Sequence, residues 1–271
     1  MENSFYKFKS LSEKQQKKQI LDEIQKCIKK YNDNLLNKTI IIIYKNNSKV
    51  LEKSIDFFEV KFSKENFYHL TGITYLNDSK KINNISKMFY NNMLKSNISS
   101  NQISFKRNTN KTVYLKLLVL NNLLDIKTGA KMIGEYDGTA KKQLYCEKVV
   151  GGVSCCMGFV KEKSSDYYRP NTALKENILD ITNNTKSIIA IFEKEKYKKT
   201  YKKLTYLNSN YNINILFRNN KIANLLDPFN IETERKDSFI LKKINTWNKE
   251  LEELQEMGQN NNTEDDDEEE M

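Results

Sequence analysis

The chain holds a single histidine, His69, within Asn66-Phe67-Tyr68-His69-Leu70-Thr71-Gly72. An imidazole near its free pKa is the usual acid–base group at neutral pH. Two readings stand side by side, a proton-transfer group and a core histidine held between Phe67 and Leu70. A second segment, Asp166-Tyr167-Tyr168-Arg169-Pro170-Asn171-Thr172-Ala173-Leu174-Lys175, gathers groups that bind anions. Arginine offers a fork of donors, lysine a point charge and threonine a hydroxyl. Pro170 keeps Arg169 extended and predicts a short helix over Pro170–Ile181. Arg169, Thr172 and Lys175, three apart, would then converge at a helix N-terminus as a phosphate cradle. The competing reading is a solvated helix start in a lysine-rich chain. Tyr145, Tyr167 and Tyr168 lie near these cations in sequence, and tyrosines stack on unpaired bases.

The charge balance speaks for a polyanionic partner. The 271 residues carry a net +10, but residues 264–270 are seven consecutive acids. Without them 45 basic residues face 28 acidic ones, leaving +17 on residues 1–263. A body this basic attracts nucleic acid first. Thirty-five asparagines accompany the lysines, as AT-rich coding would also produce, so clustering of the lysines decides between the two origins. The apolar run Ile40–Tyr44 is far short of the ~20 residues of a membrane span, and no secretory signal is visible. A cytoplasmic protein without membrane contact is expected. Cys27, Cys146, Cys155 and Cys156 show no paired spacing, so neither a zinc site nor a disulfide is expected.

The elements that must position these groups follow from periodicity. Ser12 and Gln15 form a capping box before a helix over 12–31, with Ile20, Ile24, Cys27, Ile28 and Tyr31 as its apolar stripe. Thr39–Tyr44 and residues 54–62 read as strands. Ser63 caps a short helix carrying His69, and Gly72 interrupts it. Ile82, Ile85, Phe89 and Met93 mark another helix, whereas residues 112–124 fit helix or strand. Runs 143–150 and 153–160, joined by Gly151-Gly152, predict a tight hairpin. Its register would pair Val150 with Val153, Cys146 with Met157 and Leu144 with Phe159 on one core face. Neighbouring Cys155 and Cys156 would face opposite ways. Residues 187–192 read as a buried strand, 211–217 as a strand and 238–257 as a helix around Trp247. The organisation expected is a helical arm and first strand (1–50), a central domain (51–200), a weakly defined extension (201–257) and a disordered acidic tail (258–271).

Taken together, Phe58-x-Val-x-Phe-x-x-x-Asn66-Phe-x-His-Leu-Thr-Gly72, Ile133-Gly134, Gly158-Phe159 and Tyr167–Lys175 resemble one pattern. It is similar to the phage-type branch of the barnase–EndoU–colicin–RelE-like nuclease superfamily, over about residues 54–195. The resemblance implies an α+β fold, an antiparallel sheet with N-terminal helices and flanking helical segments. It also implies RNA cleavage without metal or cofactor. His69 matches the histidine of the His-Leu-Thr-Gly motif, and Tyr168, Thr172 and Lys175 match the second motif.

The chemistry expected is attack by the RNA 2′-hydroxyl on its own phosphodiester. His69 would act as base or acid, Arg169 and Lys175 would hold the phosphorane, and Thr172 would donate a hydrogen bond. Tyr168, Thr71 and Tyr145 would contact substrate. The protein would be an endoribonuclease, a toxin or a phage or mobile-element effector, with RNA and an inhibitor or antitoxin protein as partners. The rival is a catalytically silent nucleic-acid- or protein-binding module on the same scaffold.

Overall fold

The Ser12–Gln15 capping box opens the second helix, with Gln15 Oε1 accepting from the Ser12 backbone N–H at 3.0 Å. A computed structural model describes residues 2–48, 54–76, 84–106, 109–139, 144–233 and 238–263. Helix α1 is Glu2–Lys9 and α2 is Glu13–Asn34, whose stripe Ile20, Ile24, Cys27, Ile28 and Tyr31 is fully buried. Strands β1 (Lys38–Lys45) and β2 (Ile55–Lys61) pair antiparallel, and β2 leads into α3 (Lys64–Thr71). Gly72 ends α3 at φ 74°, the left-handed conformation that favours glycine. Next come β3 (Thr74–Tyr75), α4 (Ile85–Leu94), β4 (Ile103–Ser104), α5 (Asn110–Leu123) and α6 (Ile126–Gly129). The ambiguous segment 112–124 is therefore helical.

The second half supplies most of the sheet: β5 (Met132–Tyr136), β6 (Lys148–Gly151), β7 (Cys156–Lys161), β8 (Tyr168–Leu174), β9 (Thr182–Glu195) and β10 (Lys203–Leu207). Their order is β1-β2-β8-β7-β6-β5-β9-β10, and β1 also pairs with β9. Seven strands therefore close into a barrel, with β10 outside the ring. The expected plain antiparallel sheet is corrected on both counts, because β2 and β8 run parallel and meet only at Val60 and Tyr168. Beyond that pair the chain of β2 turns away into α3, which packs along β8.

Both sides of the strands are covered, which explains the unbroken apolar run in β1. Ile40, Ile42, Phe58, Met157, Phe159 and Ile191 share one cluster with α2, α3, α4 and α5. Ile41, Ile43, Ile189 and Phe192 face the other way, onto α7 (Asn220–Ala223) and α8 (Ser238–Thr263), where Ile240, Ile244 and Trp247 pack. A third cluster joins Cys146, Val149, Cys156, Val160 and Leu174. Residues 213–218, expected within a strand, form a 3-10 helix. Helix α8 extends to Thr263, and the acidic run 264–270 lies outside the described residues.

The hairpin exists with a different register. Val150 pairs with Met157 and Lys148 with Phe159, and residues 152–155 form the loop. The Gly152 N–H donates to the Cys155 carbonyl at 3.0 Å. Gly151 belongs to β6, where it pairs with Met132 and Cys156, and a Cβ there would stand 2.5 Å from the Cys155 carbonyl oxygen. Val150, Met157 and Phe159 keep their shared face, while Cys146 lies in the cluster on the other face and Val153 is 65% exposed. Cys155 and Cys156 do face opposite clusters, and all four cysteines are free.

Candidate active site

No helix begins at Pro170. The segment expected to be helical is strand β8, followed by a 3-10 turn at Ile178–Asp180. An extended residue before proline suits a strand as well as a helix entry. Two features accommodate the missing proline N–H: β8 has no strand partner on the β2 side past Tyr168, and its pairing with β7 is bulged. The register puts Arg169 opposite Val160 and Thr172 opposite Gly158, with Asn171 as the extra residue. Val160 and Gly158 are two apart and share a face, so the bulge brings Arg169 and Thr172 onto one face although they are three apart. The phosphate cradle is thus not built on a helix dipole.

His69 stands on the exposed side of α3, flanked by Tyr68, whose ring centre is 6.0 Å from its own. It is not a core histidine. Partial burial and then the positive charge of Arg169 hold its pKa below the ordinary 6.5. The imidazole is therefore mainly neutral at pH 7, the form that accepts a proton. Arg169 is half-buried and makes no ion pair among the described residues. α3 and β8 thus place a neutral imidazole and an unneutralised guanidinium in one neighbourhood, from motifs about 100 residues apart in sequence.

The other expected site residues fall elsewhere. Thr71 is fully buried, and its hydroxyl donates to the Tyr68 carbonyl at 2.7 Å, closing the end of α3. Thr172 is 8% exposed, with its methyl over Gly158, where a Cβ would meet it at 2.9 Å. Lys175 is exposed just past β8, so Arg169 and Lys175 stand at opposite ends of the strand, roughly 20 Å of chain apart. Tyr145 is 75% exposed, and its carbonyl accepts from Asn171 Nδ2 at 2.7 Å, which ties it to the bulge.

Tyr168 points into a polar cluster that the sequence pattern did not single out. Its ring meets Phe58 edge-on at 5.3 Å, and the Lys148 ammonium lies 5.8 Å from its centre. Lys148 is also 6.0 Å from the Tyr44 ring and 3.9 Å from Glu135. Tyr44 donates to Asp56 at 3.1 Å, and burial, then Asp56, push its phenol pKa up. Gly134 lines the same small pocket, and a Cβ on it would collide with Thr182 at 2.5 Å. Lys116 of α5 is a second residue missed. Its amine packs against Gly72, three residues from His69, and burial lowers its pKa. Lys148 and Lys116 are lysines in a lysine-rich chain, so only the tertiary fold sets them apart.

The mixed α/β barrel thus sets an exposed imidazole near a guanidinium that makes no ion pair among the described residues. The chain belongs to the phage-Barnase-EndoU-ColicinE5/D-RelE like nuclease 4 family, whose profile matches residues 23–210. It is thus a member of a family of enzymes that act on nucleic acids. Comparison with curated proteins and with solved structures gives no match. Among the described residues no helix is long and apolar enough to cross a membrane, and no cluster of three metal-ligating side chains occurs.

Proposed function

We propose that this protein is an endoribonuclease that cleaves RNA by attack of the 2′-hydroxyl, without a metal ion. The observation that carries the reading is the exposed His69 on α3, close enough to β8 to feel the charge of Arg169, which makes no ion pair among the described residues. His69 takes the 2′-hydroxyl proton, and in the reverse sense donates to the departing 5′-oxygen. Arg169 stabilises the charge that grows on the phosphorane oxygens. Exposed Tyr145, tied to the β8 bulge, and Tyr168, next to Arg169 in sequence, offer rings on which bases could stack. Thr172 positions β8 by packing on Gly158, and Lys175 meets the RNA chain further along. A toxin or phage-effector role agrees with the word phage in the family's description, and an inhibitor or antitoxin protein as partner is part of the same proposal.

The test is incubation of pure protein with a single-stranded RNA in excess chelator, beside the same oligonucleotide with one 2′-deoxy position. Cleavage should leave a 2′,3′-cyclic phosphate and stop at the deoxy position. His69→Ala should fold normally, because the imidazole is exposed, and lose cleavage. Unchanged cleavage by that variant would remove His69 from the mechanism. Binding without cleavage by the parent protein would leave a silent nucleic-acid-binding module.

A further inference from the structure

Beside the His69–Arg169 neighbourhood lies a cleft of about 400 Å³, where β1 starts, β2 ends and α3 begins. Five lysines line it, Lys38, Lys61, Lys64, Lys87 and Lys196, against two acids, Glu65 and Glu162. Lys38 contacts Glu193 at 3.6 Å, and Lys64 donates to Asn91 at 3.0 Å. The other three share the cleft with Glu65 and Glu162 without pairing closely to either. Lys61, Lys87 and Lys196 make no ion pair with any carboxylate among the described residues. Their field in the cleft registers on Glu65. Burial would raise its pKa, but bonds from its own backbone N–H and from Ser63, with the charges of Lys87 and Lys196, hold it below the usual range. The helix start itself offers little, since Ser63 and Asn66 cap each other there.

Two links join this cleft to the catalytic neighbourhood. Glu65 and His69 are four apart on α3, so they share a face one helical turn apart, ~5.4 Å. Lys61 lies 3.2 Å from the centre of the Tyr167 ring, and Tyr167 is two residues before Arg169. We propose that this cleft is a second phosphate-binding subsite, which holds the backbone of the RNA strand next to the scissile nucleotide through Lys61, Lys87 and Lys196. The inference rests on the ribonuclease reading for its substrate. Its volume suits one nucleotide. Its lining fits a phosphodiester better than an acidic peptide, because three mobile point charges track a backbone without reading side chains.

The experiment measures binding of a fluorescent 2′-O-methyl single strand, which resists 2′-hydroxyl attack, to the full-length protein over a salt series. The cleft variant carries Lys61→Gln, Lys87→Gln and Lys196→Gln. A control carries Lys14→Gln, Lys18→Gln and Lys29→Gln, the same charge change on the exposed side of α2. The cleft variant should bind at least about 10-fold more weakly at low salt, and its log–log salt slope should flatten by about 2. The control should change far less. Equal loss in both variants, or none in either, would overturn the subsite and leave the cleavage reading standing. Lysine-dependent binding by a protein that cleaves no RNA would uphold the subsite and sink the nuclease reading. A heptaglutamate peptide that competes as strongly as RNA, with the same lysine dependence, would reassign the cleft to an acidic protein segment and overturn the proposal.

Discussion

Two groups of lysines lie on either side of Lys38 and behave in opposite ways. On one side Glu193, only 3% exposed, accepts from Lys127, sits 2.7 Å from Lys203 and 3.6 Å from Lys38. Burial alone would raise the Glu193 pKa, but the bonds from Lys127 and Lys203 win and lower it. On the other side Lys61, Lys87 and Lys196 line the open cleft, with only Glu65 and Glu162 as acids. A buried carboxylate that gathers lysines fixes structure. Lysines that outnumber the acids around an open cleft, and pair with none of them closely, keep charge for a ligand. In a chain this rich in lysine, the position of the acids carries the information.

The sharpest way to break the comparison is Glu193→Ala. It leaves three lysines around an empty buried position and should cost ~3–5 kcal/mol of stability, read by denaturant unfolding. The sign with pH follows from the lowered folded pKa. The stabilisation is present above the unfolded carboxyl pKa and is lost as pH falls through the folded value, so the acid limb of stability should flatten in the variant. Equal stability of variant and parent would place the two lysine groups in one class.

Arg169→Ala should do the reverse: little change in stability, and cleavage lower by ~10²–10³. Because the Arg169 charge contributes to the low His69 pKa, the imidazole should titrate higher in this variant, and the acid limb of the cleavage profile should move up with it. An unmoved His69 titration, followed by NMR, would separate the two residues. The smallest effect belongs to Lys38→Gln. Its contact with Glu193 is long and two lysines remain, so the loss should be on the order of 1 kcal/mol, with weak change in RNA affinity.

Legibility in the sequence followed the range of the physics involved. The α2 cap and stripe, the buried run of β1 and the Ser63 and Gly72 ends of α3 are set by neighbours within a few residues, and all appear. The hairpin was legible as a pair of strands but not in register, because Gly151 is glycine for close approach to Cys155 rather than for the turn. Pro170 misled for a related reason. Its ring restricts φ alike in a helix start and at the unpartnered, bulged stretch of β8. The His-Leu-Thr-Gly motif named His69, and the anion-binding side chains around Pro170 named Arg169. Lys148, Lys116 and the lysine cleft owe their surroundings to strands and helices distant in sequence, and no local spacing marks them.

The lone β2–β8 pair at Val60 and Tyr168 has a consequence in time. It joins segments more than 100 residues apart, and the ring closes only when β9, made after β8, has also paired with β1 and β5. Contacts of such long range form late. His69 and Arg169 follow the two segments that this link joins, so they come together only once β8 has docked beside α3. A nascent or truncated chain that ends before β8 carries the histidine without its arginine.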